Sequence, residues 1–133
     1  MSTVFVDTSG VYALLVASDA FHGRARAAFE ALRKEDARLV TTSYVLVESY
    51  ALLGRRIGVE AVRRFRVDVA PLMEVIWVDR ALHEDALDSL VARGATDVSL
   101  VDAVSFAAMR AGSVDRALTF DAHFADEGFE TLG

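Results

Sequence analysis

Hydrophobic and polar positions along the chain fall into two rhythms that trade places repeatedly. Val4-Phe-Val6 is a short apolar run ending at Asp7 and predicts a buried strand. A helix is expected after it, with Thr8 or Ser9 as N-cap and Val11, Leu14 and Leu15 on one face. Phe21 to Lys34 has helical spacing, with Ala25, Ala28, Phe29 and Leu32 inward and Arg24, Arg26 and Arg33 outward. Leu39-Val-Thr41 predicts a second strand. Ser43 to Leu53 predicts a third helix, closed by Gly54. Val59 to Val69 is a fourth helix, and Pro71 breaks the chain before a third strand, Val75-Ile-Trp-Val78. Two more helices follow, Arg80 to Arg93 stopping at Gly94 and Ser99 to Ala111 stopping at Gly112. Ala117 to Phe120 predicts a fourth strand ending at Asp121, with Glu130-Thr-Leu132 as a fifth.

Strands that alternate with helices in this way imply an α/β fold: a central, mostly parallel sheet of four to five strands covered on both faces, three layers in all. The 133 residues fit one domain spanning 1–133, without internal repeat, linker or low-complexity tract. In sheets of this kind, sites form beyond the carboxyl ends of the strands. Asp7 and Asp121 both fall at such ends.

Composition narrows the chemistry. There is no cysteine, which removes disulfides and thiolate metal sites. A formal net charge of −6 argues against gripping nucleic acid by bulk positive charge, but not against acids that bind cations. The first residues carry no basic segment and reach Asp7 directly, unlike a signal peptide, and no apolar run approaches the ~20 residues of a membrane span. A soluble, cytoplasmic protein is expected. Asn and Gln are absent and Lys34 is the only lysine, a bias shared by thermophilic proteins and by Arg-rich genomes.

Three acids stand where apolar residues belong. Asp7 is the only charged side chain between Met1 and Ser18, Glu48 between Thr41 and Gly54, and Asp102 between Val98 and Met109. Charged groups are rarely buried unless paired or metal-bound. Each of the three, and Asp121 at the end of the fourth strand, has a structural explanation: Asp7 as a helix cap, Asp102 as partner of Ser99 in a capping box, Asp121 as a turn residue, and Glu48 as partner of a buried Arg55 or Arg110. The joint pattern favours a shared site. Two unit charges ~4 Å apart repel by roughly 4 kcal/mol at an effective dielectric of ~20, so such a cluster must take up protons or cations. All-carboxylate ligation suits Mg²⁺ or Mn²⁺, ions that activate water for attack on a phosphate. The hydroxyls of Thr8, Ser9, Ser99 and Thr119 are placed to orient carboxylates or metal-bound water.

These residues give the chain a family likeness. Val4-Phe-Val-Asp-Thr-Ser9, Thr42-Ser-Tyr-Val-Leu-Val-Glu48, Val98-Ser-Leu-Val-Asp-Ala-Val104 and Leu118-Thr-Phe-Asp-Ala-His-Phe124 follow one another in order and at family spacing. In this the sequence resembles the PIN-domain nucleases, particularly the VapC-type toxins of prokaryotic toxin–antitoxin pairs. The resemblance implies Asp7, Glu48, Asp102 and Asp121 as metal-binding catalytic acids. It also implies a Mg²⁺- or Mn²⁺-dependent endoribonuclease leaving 5′-phosphate and 3′-hydroxyl ends. A homodimer and a small antitoxin occupying the active-site groove are implied as well. Alternatives are an RNA-processing nuclease without an antitoxin and a metal-binding, non-enzymatic PIN-like module.

Other features carry less. The basic stretch from Arg55 to Arg66 reads as an RNA- or antitoxin-contacting patch or as a solvated helix face. His22, His83 and His123 are too dispersed to suggest a triad, and His22 near a helix start reads as structural. Trp77 reads as core. Asp97 and Asp126 are left as supporting or capping residues. A phosphatase Asp-x-Asp motif would need an acid where Ser9 stands, and a phosphoacceptor domain a lysine nearer the sheet end than Lys34.

Overall fold

A computed structural model describes residues 2–94 and 97–133. The sheet has five strands: β1 (Thr3–Val6), β2 (Arg38–Thr42), β3 (Met73–Ile76), β4 (Arg116–Leu118) and β5 (Glu130–Leu132). Their order is β3-β2-β1-β4-β5, and every pairing is parallel. The helices are α1 (Thr8–Leu15), α2 (His22–Lys34), α3 (Ser43–Arg56), α4 (Val59–Arg64), α5 (Arg80–Arg93), α6 (Leu100–Ala111) and α7 (Ala122–Asp126).

Strand alternation builds the two cores. Val4 and Val6 of β1 point to one face and pack with Leu39, Leu118 and the apolar sides of α1 to α4. Phe5 points to the other, against Val40, Ala117, Phe106 and Phe124. Both faces of β1 and β4 are therefore buried, which is why their sequences read as unbroken apolar runs. The chain moves outward from β1 through β2 to β3, then crosses by α5 and α6 to β4 on the other side of β1. The strand order thus reverses at β1 and β4, and the crevice beyond their carboxyl ends is where ligands bind in such sheets.

The expected three-layer architecture holds, with a sheet parallel throughout. α5 ends as the sequence implies, with Gly94 in the left-handed region (φ 73°). Several boundaries differ. Gly54 lies inside α3, which runs on to Arg56. The helix expected over Val59–Val69 is α4 followed by a wider π-type turn, Phe65–Val69, and a 3₁₀ turn, Ala70–Leu72, ahead of β3. That strand lies earlier than expected, its last pairing being Thr42 with Ile76. Trp77 therefore falls beyond an edge strand and is 74% exposed, not core. β4 ends at Leu118, before Thr119 and Phe120, and α7 was not foreseen. Among the described residues no helix is long and apolar enough to cross a membrane.

Candidate active site

Three of the four predicted acids are placed by helix starts. Asp7 leaves β1 as the N-cap of α1, Asp121 follows β4 as the N-cap of α7, and Asp102 is the third residue of α6. At α6 the capping box forms: Asp102 N–H donates to Ser99 Oγ at 3.1 Å and Ser99 N–H to Asp102 Oδ2 at 3.4 Å. The capping explanation for Asp7 and Asp102 is therefore true, Asp121, expected as a turn residue, caps a helix as well, and none of this competes with a site. Caps turn the carboxylates toward helix N-termini, whose partial positive charge favours them.

Asp7 is the buried anchor. Its Oδ2 accepts from Ser9 Oγ at 2.9 Å and from Thr119 Oγ1 at 3.0 Å, with Ser9 N–H more distant at 3.4 Å. Ser9 Oγ also lies 3.1 Å from Thr119 Oγ1 and accepts from Phe120 N–H at 2.9 Å. Ser9 and Thr119 thus join the ends of β1 and β4 through one carboxylate oxygen. Burial pushes the Asp7 carboxyl up from 3.8 to about 6, the Asp102 carboxylate adding to the rise while the Ser9 and Thr119 hydrogen bonds oppose it. Of the other predicted supporting hydroxyls, Ser99 acts as a cap, and the buried Thr8 hydroxyl has no hydrogen-bond partner among the described residues.

Asp102, Asp121 and His123 form the tightest group, each offering one ligand atom within 4.8 Å of the others. Burial raises the Asp102 carboxyl, and the charges of Asp121 and then Glu48 raise it further. His123 Nδ1 lies 2.7 Å from Asp121 Oδ1, and its Nε2 lies 3.1 Å from Asp97 Oδ2. A carboxylate at each ring nitrogen favours the imidazolium, so the His123 pKa is raised, first by Asp97 and then by Asp121. Sequence reasoning set this histidine aside. The available signal was its place two residues after Asp121, but its link to Asp97 spans segments no local pattern connects.

Glu48, midway along α3, stands further out. It lines a cavity of about 490 Å³ with Tyr44, Val47, Leu52, Arg55 and Val101. Neither anticipated partner neutralises it: Arg110 pairs with Glu127 at 2.7 Å, and Arg55 shares the cavity without an ion pair. Among the described residues no Arg or Lys forms an ion pair with Asp7, Glu48, Asp102 or Asp121, and His123 is the only cationic partner any of them has. The donor set is hard carboxylate oxygen, with His123 engaged by Asp121 and Asp97 at its two ring nitrogens, and the buried Thr8 hydroxyl has no partner among the described residues. Such a set fits a divalent ion of the Mg²⁺ or Mn²⁺ kind. The other sequence histidines lie elsewhere: His22 Nδ1 meets Ala13 O at 2.8 Å, a structural role, and His83 Nδ1 meets the Tyr44 hydroxyl at 2.5 Å.

Comparison with known proteins places this geometry. The PIN domain family matches residues 4–130. The 23S rRNA-specific endonuclease VapC20 of Mycobacterium tuberculosis is 36% identical over 127 residues, 95% of each chain. The crystal structure of that protein, described as a Sarcin-Ricin loop cleaving toxin, superposes with a TM-score of 0.85 at 35% identity, covering 95% of both chains. VapBC2 from Rickettsia felis, solved with a DNA fragment from its promoter, gives a TM-score of 0.73 at 12% identity, covering 98% of this chain and 99% of that one. At that identity the likeness shows the fold alone. The chain belongs to the PIN-domain nuclease family, and within it resembles the VapC-type toxins.

Proposed function

We propose that residues 1–133 act as one PIN-like unit, a metal-dependent endoribonuclease and the toxin of a VapBC-type pair, with Asp7, Glu48, Asp102 and Asp121 as its catalytic, metal-binding acids. The observation that carries this reading is the gathering of acids around Asp102 at the reversal point of the sheet, with His123 their only cationic partner among the described residues. The 36% identity to a named rRNA endonuclease supports RNA as substrate.

In this reading Asp7, Asp102 and Asp121 hold the ion, with Glu48 completing the set from α3. The ion, Mg²⁺ or Mn²⁺, supplies Lewis-acid polarisation of the scissile phosphate and an activated water. Ser9 and Thr119 fix the Asp7 carboxylate through its Oδ2, which accepts from both hydroxyls. Asp97 holds the His123 ring, and His123 holds the Asp121 carboxylate through both its ring Nδ1 and its backbone N–H. The Ser99 capping bond does the same for Asp102.

The same reading includes a small antitoxin and a homodimer, in the cytoplasm. Its support is apolar surface that lacks a cover in the single chain: Val47, Ile57, Val59 and Val67 are each at least half exposed along α3, α4 and the turn after them. Val47 also lines the cavity that reaches Glu48, so a bound antitoxin segment there would block the site.

The test is incubation of purified protein with total RNA in Mg²⁺, in Mn²⁺ and in EDTA. Discrete fragments that need metal and carry 5′-phosphate ends are expected. Cleavage that persists in EDTA, or that leaves 2′,3′-cyclic phosphates, would overturn the mechanism. Growth arrest on expression, relieved by a small neighbouring gene product, separates a toxin from an RNA-processing enzyme.

A further inference from the structure

A second cluster adjoins the acids and plays no part in the chemistry above. The rings of Phe21 and Phe120 stack at 4.6 Å between centroids with 8° between planes. The Arg24 guanidinium lies 5.4 Å from one centroid and 5.5 Å from the other. These side chains line a cavity of about 240 Å³ whose other walls include Thr119, Asp121 and Gly133.

Three features set Arg24 apart. Its only hydrogen bond among the described residues is from Nη2 to the Gly133 backbone oxygen at 2.6 Å, which leaves most of its five N–H donors free. Like Arg33, Arg55, Arg56, Arg64, Arg66 and Arg80 it forms no ion pair among the described residues, but of these it alone lines the cavity with Asp121. Its aromatic support is tied to the acids: Phe120 N–H donates to Ser9 Oγ, which also donates to Asp7. A guanidinium held against two aromatic rings, without an Asp or Glu ion-pair partner among the described residues, thus shares a cavity with Asp121.

Chemistry that would satisfy these groups is specific. A guanidinium with a free donor edge binds phosphate in a fork. Phe21, 39% exposed, offers ring surface to a base, and stacking tolerates any base. A chain of net charge −6 also gains most from local cations when it must hold a polyanion beside its own acids.

We propose that Phe21, Arg24 and Phe120 form a nucleotide subsite beside the cleavage centre, with Arg24 binding an RNA phosphate next to the scissile one and Phe21 packing on the adjoining base. This rests on the ribonuclease reading and deepens it: the subsite sets the path by which RNA leaves the acids on the Asp121 side.

The test uses the full chain and a fluorescein-labelled single-stranded fragment of ribosomal RNA that the wild type cleaves. Binding is followed by anisotropy in EDTA across salt concentrations, and cleavage by initial rates in Mn²⁺. Arg24→Ala should weaken binding about ten-fold and lower the salt-dependence slope by about 0.7, the increment of one single-strand phosphate contact. KM should rise while kcat changes little. Arg24→Lys should keep most of the salt slope. Phe21→Leu, which preserves apolar bulk, should weaken binding about five-fold or more with the slope unchanged. Arg33→Ala, an exposed arginine on the same helix, is the control. If the wild type cleaves RNA and Arg24→Ala matches Arg33→Ala in affinity, slope and KM, the subsite is wrong while the nuclease reading stands. If the wild type neither binds nor cleaves RNA, both fall.

Discussion

His123 Nδ1 sits 2.7 Å from Asp121 Oδ1, two residues away in sequence, while the far side of the same ring is held by Asp97. One imidazole therefore connects the segment ahead of α6 to the start of α7. Removing the ring leaves the Asp121 carboxylate held only by the His123 backbone N–H and takes away the imidazole partner of Asp97. His123→Ala is expected to lose about 10–100-fold in Mn²⁺ affinity or in cleavage rate, the range for groups that orient metal ligands. Titration calorimetry and initial rates read the two separately. A variant equal to wild type in both would show that the histidine only decorates the site.

Asp7 carries a pH-dependent stability penalty. Its carboxyl titrates near 6 in the folded protein against 3.8 ordinarily. Between those values the native state keeps a proton that the unfolded chain has lost. The Asp7 contribution to metal-free stability therefore falls as pH rises from about 4 to 6, then stays level. A shift of this size corresponds to about 3 kcal/mol. Asp7→Asn should remove it, making the metal-free protein more stable than wild type at pH 7.5 but not at pH 4. Denaturant unfolding at both pH values checks this. A variant less stable at neutral pH would mean that hydrogen bonding to the carboxylate outweighs its burial.

Ser9 Oγ donates to Asp7 and accepts from the Phe120 N–H. Ser9→Ala strips a buried carboxylate of a donor and leaves a backbone donor unmatched. Destabilisation of about 1–3 kcal/mol is expected. The Asp7 pKa should also move further up, because a bond that lowers it is gone. Carbonyl-region NMR titration of Asp7 in the metal-free protein reads the shift.

Gly10 makes the crevice possible. A Cβ there would lie 2.5 Å from the Leu118 backbone oxygen, closer than any real contact. The absence of a side chain lets α1 approach β4 and brings Asp7 to Thr119. Gly10→Ala should cost about 1–3 kcal/mol through overpacking and should reduce cleavage with it. A full-strength, fully active variant would show that α1 can shift without disturbing the acids.

Much of this was legible in the sequence because one-dimensional signals coincide with the physics. Isolated charges in apolar runs marked Asp7, Glu48 and Asp102, and in the structure Asp102 lies within electrostatic reach of both Asp7 and Glu48. The capping box at Ser99 and the stop at Gly94 are local rules and formed where expected. What the sequence concealed depends on distant partners. His123 acquires its role from Asp97, Arg24 from Phe120, and Trp77 loses its core position because β3 is an edge strand that ends one residue before it. Gly54 misled for a related reason. It lies against Val62 of α4, so packing between the two helices accounts for it inside α3.

The central claim is that the acids gathered around Asp102 hold a divalent ion. Its most direct test is Mn²⁺ titration calorimetry on metal-free wild type and Asp102→Asn, with matched thermal melts to establish that both are folded. Binding in the wild type, weakened at least ten-fold in the variant, is the predicted result. Equal Mn²⁺ binding by the two proteins would contradict the account and move the metal site away from these carboxylates.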